Sequence, residues 1–147
     1  MKTILLVEDD PNDVELMLRA LARHKLAGGV QVLRNGEEAL EYLFHKGAFA
    51  ERERLERPKV VILDLNLPKI NGMDVLKKIK SSDLTKDIPV VILSSSQDDD
   101  VVMKSYELGV NGFVVKPSNY NEFQDTVSDM GLYWARLNEL PQSGRTG

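Results

Sequence analysis

Apolar residues fall into two alternating patterns along the chain. Short unbroken runs stand at Ile4-Leu5-Leu6-Val7, Val60-Val61-Ile62-Leu63, Val90-Val91-Ile92-Leu93 and Phe113-Val114-Val115. Runs this short, rich in β-branched residues and bounded by polar residues, predict strands buried on both faces of a parallel sheet. The run Val30-Gln31-Val32-Leu33 is broken by a polar residue and is expected at a sheet edge. Helical spacing fills the intervals. Val14, Leu18 and Leu21 recur at i, i+4 and i+7, after Asp10-Pro11, a capping side chain followed by a ring that suits the first helical turn. Gly28-Gly29 is expected to end that helix. Ala39, Leu40 and Leu43 mark a second helix, and Val75, Leu76 and Ile79 a third. The fourth begins near Asp98-Asp99-Asp100, where carboxylates favour a helix N-terminus, and stops at Gly109. The fifth is expected from Tyr120 to Leu140. The order βαβαβαβαβα predicts an α/β fold: a five-stranded parallel sheet, doubly wound, with helices on both faces.

Length and composition narrow the picture. With 147 residues there is room for about one domain, and no internal repeat or linker divides it. The tail Pro141 to Gly147 is expected to be disordered. Gly47 to Pro58 is long for such a connection, and its charged residues read as a solvated, self-paired segment, with partner docking as the second reading. A net charge of −4 gives no general attraction to nucleic acid or to an anionic membrane. There is no cysteine and there are only two histidines, His24 and His45, which excludes disulfides and thiolate metal sites. Only four apolar residues follow Met1-Lys2-Thr3 before Glu8, too few for a signal peptide or a membrane span, so a soluble cytoplasmic protein is expected.

Ligands of open α/β sheets sit beyond the carboxyl ends of the strands. There the chain places Glu8-Asp9-Asp10, Asp64, Ser94 and Lys116-Pro117. Singly, each has an ordinary reading as a cap, turn or loop residue, and capping suffices for Asp10. Together they bring carboxylates, a hydroxyl and an ammonium to one edge. Clustered carboxylates without a compensating arginine repel one another, and a hard divalent cation such as magnesium resolves this. The lysine and the serine would then hold phosphoryl oxygens, the equipment of phosphoryl transfer, with a carboxylate as nucleophile.

Four stretches carry a family resemblance: Ile4 to Pro11, Val61 to Pro68 with Asn71-Gly72, Pro89 to Ser95, and Gly112 to Pro117. In this order and spacing they resemble the receiver domain of two-component response regulators, the CheY-like fold. The resemblance implies a flavodoxin-like (βα)5 domain with strand order 2-1-3-4-5 over residues 1–130. It implies Asp64 as phosphoacceptor from a histidine kinase, and Mg2+ held by Glu8, Asp9, Asp64 and the backbone carbonyl of Asn66, with Asp9 the preferred direct ligand. Lys116 would pair with the acyl phosphate, Ser94 would move onto the phosphoryl group, and Phe113 would be the aromatic switch, a plain core aromatic being the other reading. Leu65-Asn66-Leu67-Pro68, the segment before Pro58, Ser105-Tyr106-Glu107-Leu108 and the stretch from Leu132-Tyr133-Trp134 to Leu140-Pro141 resemble single-domain regulators that partner bacterial phytochrome kinases. A signalling protein that acts chemically only on itself is expected, with a phosphate sink or phosphorelay intermediate as alternative. An aspartyl-phosphate phosphatase of the haloacid dehalogenase type would need Asp-x-Asp after the first strand, and a nucleotide or flavin module a glycine-rich loop; neither is present.

Phe123, Val127, Met130, Trp134 and Leu137 are spaced four, three, four and three, as in a helix-packing seam. The first two are expected to cover the sheet. Met130, Trp134 and Leu137 are expected to project beyond it, on an extension over 131–140, and to form a homodimer interface or a kinase-binding surface. Folding back of the stripe onto its own domain is the alternative. Gly131, costly inside a helix, permits a close approach or marks a kink.

Overall fold

Each unbroken apolar run forms a strand, and the interrupted run forms one too. The computed structural model describes residues 2–52 and 57–141. In chain order the elements are β1 (Ile4–Val7), α1 (Pro11–Ala22), β2 (Val30–Leu33), α2 (Gly36–Leu43), β3 (Val60–Leu63), α3 (Gly72–Lys80), β4 (Val90–Ser94), α4 (Asp99–Glu107), β5 (Gly112–Val115) and α5 (Tyr120–Leu132). The sheet order is β2-β1-β3-β4-β5, with every pairing parallel. This is the doubly wound flavodoxin-like order, whose ligand crevice lies where the order reverses beside β1 and β3.

Alternation along the strands divides the core into two layers. Ile4, Leu6, Val60, Ile62, Val91 and Leu93 face α1 and α5, meeting Met17, Leu21, Phe123 and Val127. Leu5, Val7, Val61, Leu63, Val90 and Ile92 face the other way, against Tyr42 and Leu43 of α2 and Val75, Leu76 and Ile79 of α3. Side chains i and i+2 share a face of a strand, so every central strand needs apolar residues throughout. Helix starts follow the capping chemistry in the sequence. Asp10, Asn35, Asn71, Asp98 and Asn119 each accept a backbone N–H from the first turn of the next helix.

Four expectations need correction. The first helix ends at Ala22 rather than at the glycine pair, and a separate 3-10 turn covers Ala27–Gly29. β5 is not buried like the other runs: it is the second sheet edge, its residues are half-buried, and Val115 is exposed. The cause lies in α4, which packs on β5 yet buries only Ser105 among its own residues. The fifth helix does not run regularly to Leu140. It is α-helical to Leu132, continues as one π-type turn over Tyr133–Leu137, and Asn138 is already extended.

The fourth correction concerns the apolar stripe. Met130 does not project from the domain: it is 7% exposed and lies among Met17, Leu21, Leu26 and Val30. Trp134 is partly buried against the same layer, its ring edge facing Gly112. Only Leu137 of that trio is exposed. Gly131 explains the geometry, because a Cβ there would run into the Leu21 side chain and crowd Leu26. The glycine lets α5 approach α1, and the π turn then directs Ala135 and Trp134 inward. Of the charged segment, Gly47–Phe49 is a 3-10 turn, and Arg52 donates to the Tyr42 carbonyl from above its ring. Glu53, Arg54 and Glu56 of that segment, and 142–147 of the tail, lie outside the described residues. Among the described residues, no helix is long and apolar enough to cross a membrane.

Candidate functional site

The backbone ladders continue one residue past the strands, and this aims the side chains of the site. The Glu8 N–H donates to Leu33 O of β2 at 3.0 Å, and the Asp64 N–H to Val7 O of β1 at 3.0 Å. On the far side of β4, the Lys116 N–H donates to Ser94 O at 2.8 Å. Residues that the sequence scatters over more than a hundred positions thus come to one edge of the sheet. Gly72 supports Asp64 from behind: its N–H donates to Leu65 O at 2.9 Å, where a side chain would not fit.

Glu8, Asp9 and Asp64 each place a carboxylate oxygen within 4.8 Å of the others. Glu8 and Asp64 are buried, whereas Asp9 is exposed and leaves the cluster open to solvent on one side. The Lys116 ammonium donates to Glu8 Oε1 at 2.8 Å and to Asp13 Oδ2 at 3.0 Å. It stands 4.0 Å from Asp64 Oδ2, an ion-pair separation too long for a hydrogen bond. Ser94 is fully buried, and its Oγ accepts the Ser96 N–H at 3.2 Å. Asn66 is exposed and donates its backbone N–H to Asp64 Oδ1 at 3.4 Å. Phe113 is half-buried against the α2–α3 layer. Trp134 lies at Gly112, the opposite end of β5 from Lys116, so the turn after α5 does not join this site.

Asp13 was not legible as a site residue. It sits in the first turn of α1, three residues after the cap Asp10, where an acidic side chain reads simply as favourable to the helix dipole. Its partner is 103 residues away in sequence. The available signal is helical phase: Asp13 precedes Val14 and Met17 on the flank of the buried face, close enough to the sheet edge to reach a strand-end residue.

The electrostatics follow from burial. Removal from water pushes the Glu8 carboxyl up to about 7, with the Asp64 charge adding and the Lys116 hydrogen bond offsetting only part. Burial works against the Lys116 charge too, yet the hydrogen bond and charge of Glu8, then Asp64 and Asp13, hold its pKa above that of an ordinary lysine. One ammonium therefore faces Glu8, Asp13 and Asp64, with Asp9 beside them in the acidic trio. An all-oxygen donor set with excess negative charge and a solvent-open side suits a small hard divalent cation. Such a cation would be held by Glu8, Asp9 and Asp64.

Known proteins share both sequence and fold with this chain. The family profile of the response regulator receiver domain matches residues 4–128. Response regulator Rcp1 of Synechocystis is 38% identical over 140 residues, 95% of this chain and 93% of Rcp1. Its Mn(2+)-bound crystal structure has a TM-score of 0.87 at 36% identity, covering 96% of this chain and 99% of that one. The phosphorylated cyanobacterial phytochrome response regulator RcpA has a TM-score of 0.88 at 39% identity, covering 95% and 98%. The bacteriophytochrome response regulator RtBRR is 51% identical with a TM-score of 0.75, covering 97% and 85%. The chain belongs to the response regulator receiver domain family, as a CheY-like regulator of two-component signalling.

Proposed function

We propose that the protein accepts a phosphoryl group on Asp64 from a histidine kinase and signals through the change this causes in its protein contacts. The observation that carries the reading is the placement of the Lys116 ammonium 4.0 Å from Asp64, beside the acidic trio at the carboxyl edge of the sheet. A side-chain oxygen of Asp64 bonds to phosphorus as the P–N bond of the donor imidazole breaks, giving an acyl phosphate. Water later attacks phosphorus and returns the carboxylate and inorganic phosphate. Bound Mg2+ would neutralise phosphoryl charge, held by Glu8, Asp9, Asp64 and the Asn66 carbonyl. Lys116 supplies a second positive charge to the phosphoryl oxygens, and Ser94, freed from Ser96, a hydroxyl donor. Phe113, half-buried on β5 two residues before Val115, the register partner of Ser94, is the side chain proposed to follow the Ser94 movement.

This chemistry is confined to the protein's own carboxylate, in keeping with a cytoplasmic signalling protein rather than an enzyme acting on an external substrate. The resemblance to RcpA, Rcp1 and RtBRR supports a phytochrome-type kinase as the phosphoryl source. Neither nucleic acid nor membrane is proposed as a partner.

Incubation with phosphoramidate and Mg2+, followed by intact-mass measurement, tests the acceptor. The wild type is expected to gain one labile phosphoryl group, and Asp64→Asn none. Equal labelling of both proteins, or of neither, removes the assignment.

A second copy of the chain is the proposed partner of the last helical turn, where Leu137 is 63% exposed and Tyr133 49%. Removing the chain after Ser128 would strip Met130 and Ala135 from the core, so a surface substitution is the proper probe. In sedimentation, Leu137→Glu is expected to shift a dimeric wild type toward monomer. A wild type that is monomeric at micromolar concentration, or a variant that remains dimeric, counts against this interface.

A further inference from the structure

Asp13 belongs to none of the groups that the acceptor chemistry requires, yet it forms one of the two direct bonds to Lys116. The acidic trio is complete without it. Its side chain is 27% exposed, against 3% for Glu8. A cavity of about 100 Å³ adjoins the pair, lined in part by Leu16, Pro117, Tyr120 and Phe123. Water can therefore take the place of the ammonium at Asp13, whereas Glu8 has no such access.

We propose that Asp13 is a positioning residue that holds the Lys116 ammonium off the Asp64 carboxylate, leaving the acceptor free to attack phosphorus. This rests on Asp64 being the phosphoacceptor. Lys116 has three N–H donors, and two of them are fixed by Glu8 at 2.8 Å and Asp13 at 3.0 Å. Those bonds set the 4.0 Å gap to Asp64 Oδ2. Without Asp13, the next carboxylate within reach of the ammonium is Asp64 itself. A direct pair there lowers the electron density of the attacking oxygen and must break before attack. When the phosphoryl group arrives, Lys116 turns from Asp13 to a phosphoryl oxygen. The solvent-accessible partner is the one it can leave at low cost.

The test uses the full chain with phosphoramidate as donor and saturating Mg2+. An Asp64 oxygen bonds to phosphorus while the P–N bond breaks, and the nitrogen departs as ammonia with protons the zwitterionic donor already carries. Rates by intact mass are compared for the wild type, Asp13→Ala, Asp13→Glu, Lys116→Met and the Asp13→Ala/Lys116→Met double variant. Asp13→Ala is expected to be about tenfold slower, the scale of one hydrogen bond to a charged group, with Asp13→Glu restoring most of the rate. In the Lys116→Met background, Asp13→Ala is expected to cost nothing further. A second readout needs no metal. In chelator, Asp13→Ala should lower the thermal midpoint when Lys116 is present and raise it when methionine replaces the lysine, because Asp13 then only adds unbalanced negative charge to the site. An unchanged rate in Asp13→Ala, or the same fractional loss in both backgrounds, overturns the proposal while leaving Asp64 as acceptor. A wild type that takes no phosphate brings down the acceptor reading and this one with it.

Discussion

Replacing Lys116 with methionine is expected to destabilise the metal-free protein, by up to about 3–5 kcal/mol where the pH is high enough to leave Glu8 charged, the usual result of leaving one side of a buried ion pair uncompensated. The lysine side chain is only 15% exposed, and it holds Glu8, which is more buried still. Methionine matches the length of the stem but leaves Glu8, Asp13 and Asp64 facing one another. The loss depends on pH in a definite direction. In the wild type, Glu8 already holds its proton up to about 7, compared with 4.5 for a free glutamate. Between those values the folded protein binds more protons than the unfolded chain, so stability falls as pH rises. Without Lys116 the Glu8 pKa moves higher and the fall continues to higher pH. Urea denaturation of both proteins in chelator should show the deficit largest above about pH 7, shrinking as pH falls toward about 7 and level below it. Mg2+ should then raise the stability of the variant more than that of the wild type. Phosphorylation should slow by roughly 10²–10³, as for loss of one preorganised donor to a transferring group. A deficit that does not change with pH would mean that Lys116 does not serve to balance these carboxylates.

The proposed acceptor, Asp64, also depends on a residue with no side chain. Gly72, the first residue of α3, lies against the loop after β3. A Cβ there would stand 2.5 Å from both the Asp64 carbonyl oxygen and Leu65 Cα. Both are backbone atoms, so neither can rotate away. Gly72→Ala should therefore push the acceptor loop off α3, at about 1–3 kcal/mol for the overpacking. Phosphorylation should fall by up to about 10²-fold, since ångström-scale displacement of a reacting group costs that much. Gly28→Ala is the matched control, because nothing lies within 4 Å of its added methyl. It should leave both stability and labelling close to wild type. If Gly72→Ala labels at the wild-type rate, the position of this loop does not limit the chemistry.

Much of this was legible in the chain. Four-residue β-branched runs between helical stretches can be satisfied only by strands covered on both faces, and caps such as Asp10 before Pro11 mark where helices begin. The strand order came from the family resemblance, and the structure has it. Glu8, Asp9, Asp64 and Lys116 were legible as a group for a geometric reason: parallel strands all point one way, so the residues after them must share an edge. The spacing of Met130, Trp134 and Leu137 was legible but misleading. A helical seam shows that a face is apolar, not which surface covers it, and here α1 covers most of that face.

Local patterns of period 2 and 3.6 thus determined the elements, their order and the chemistry at the strand ends, because these depend on neighbours a few residues apart. Tertiary structure alone decided that Asp13 meets Lys116, that α5 closes onto α1 at Gly131, and that β5 remains a thinly covered edge. Each of these depends on how far one docked element reaches toward another. That distance is set by packing volume across the core, and no stretch of sequence carries it.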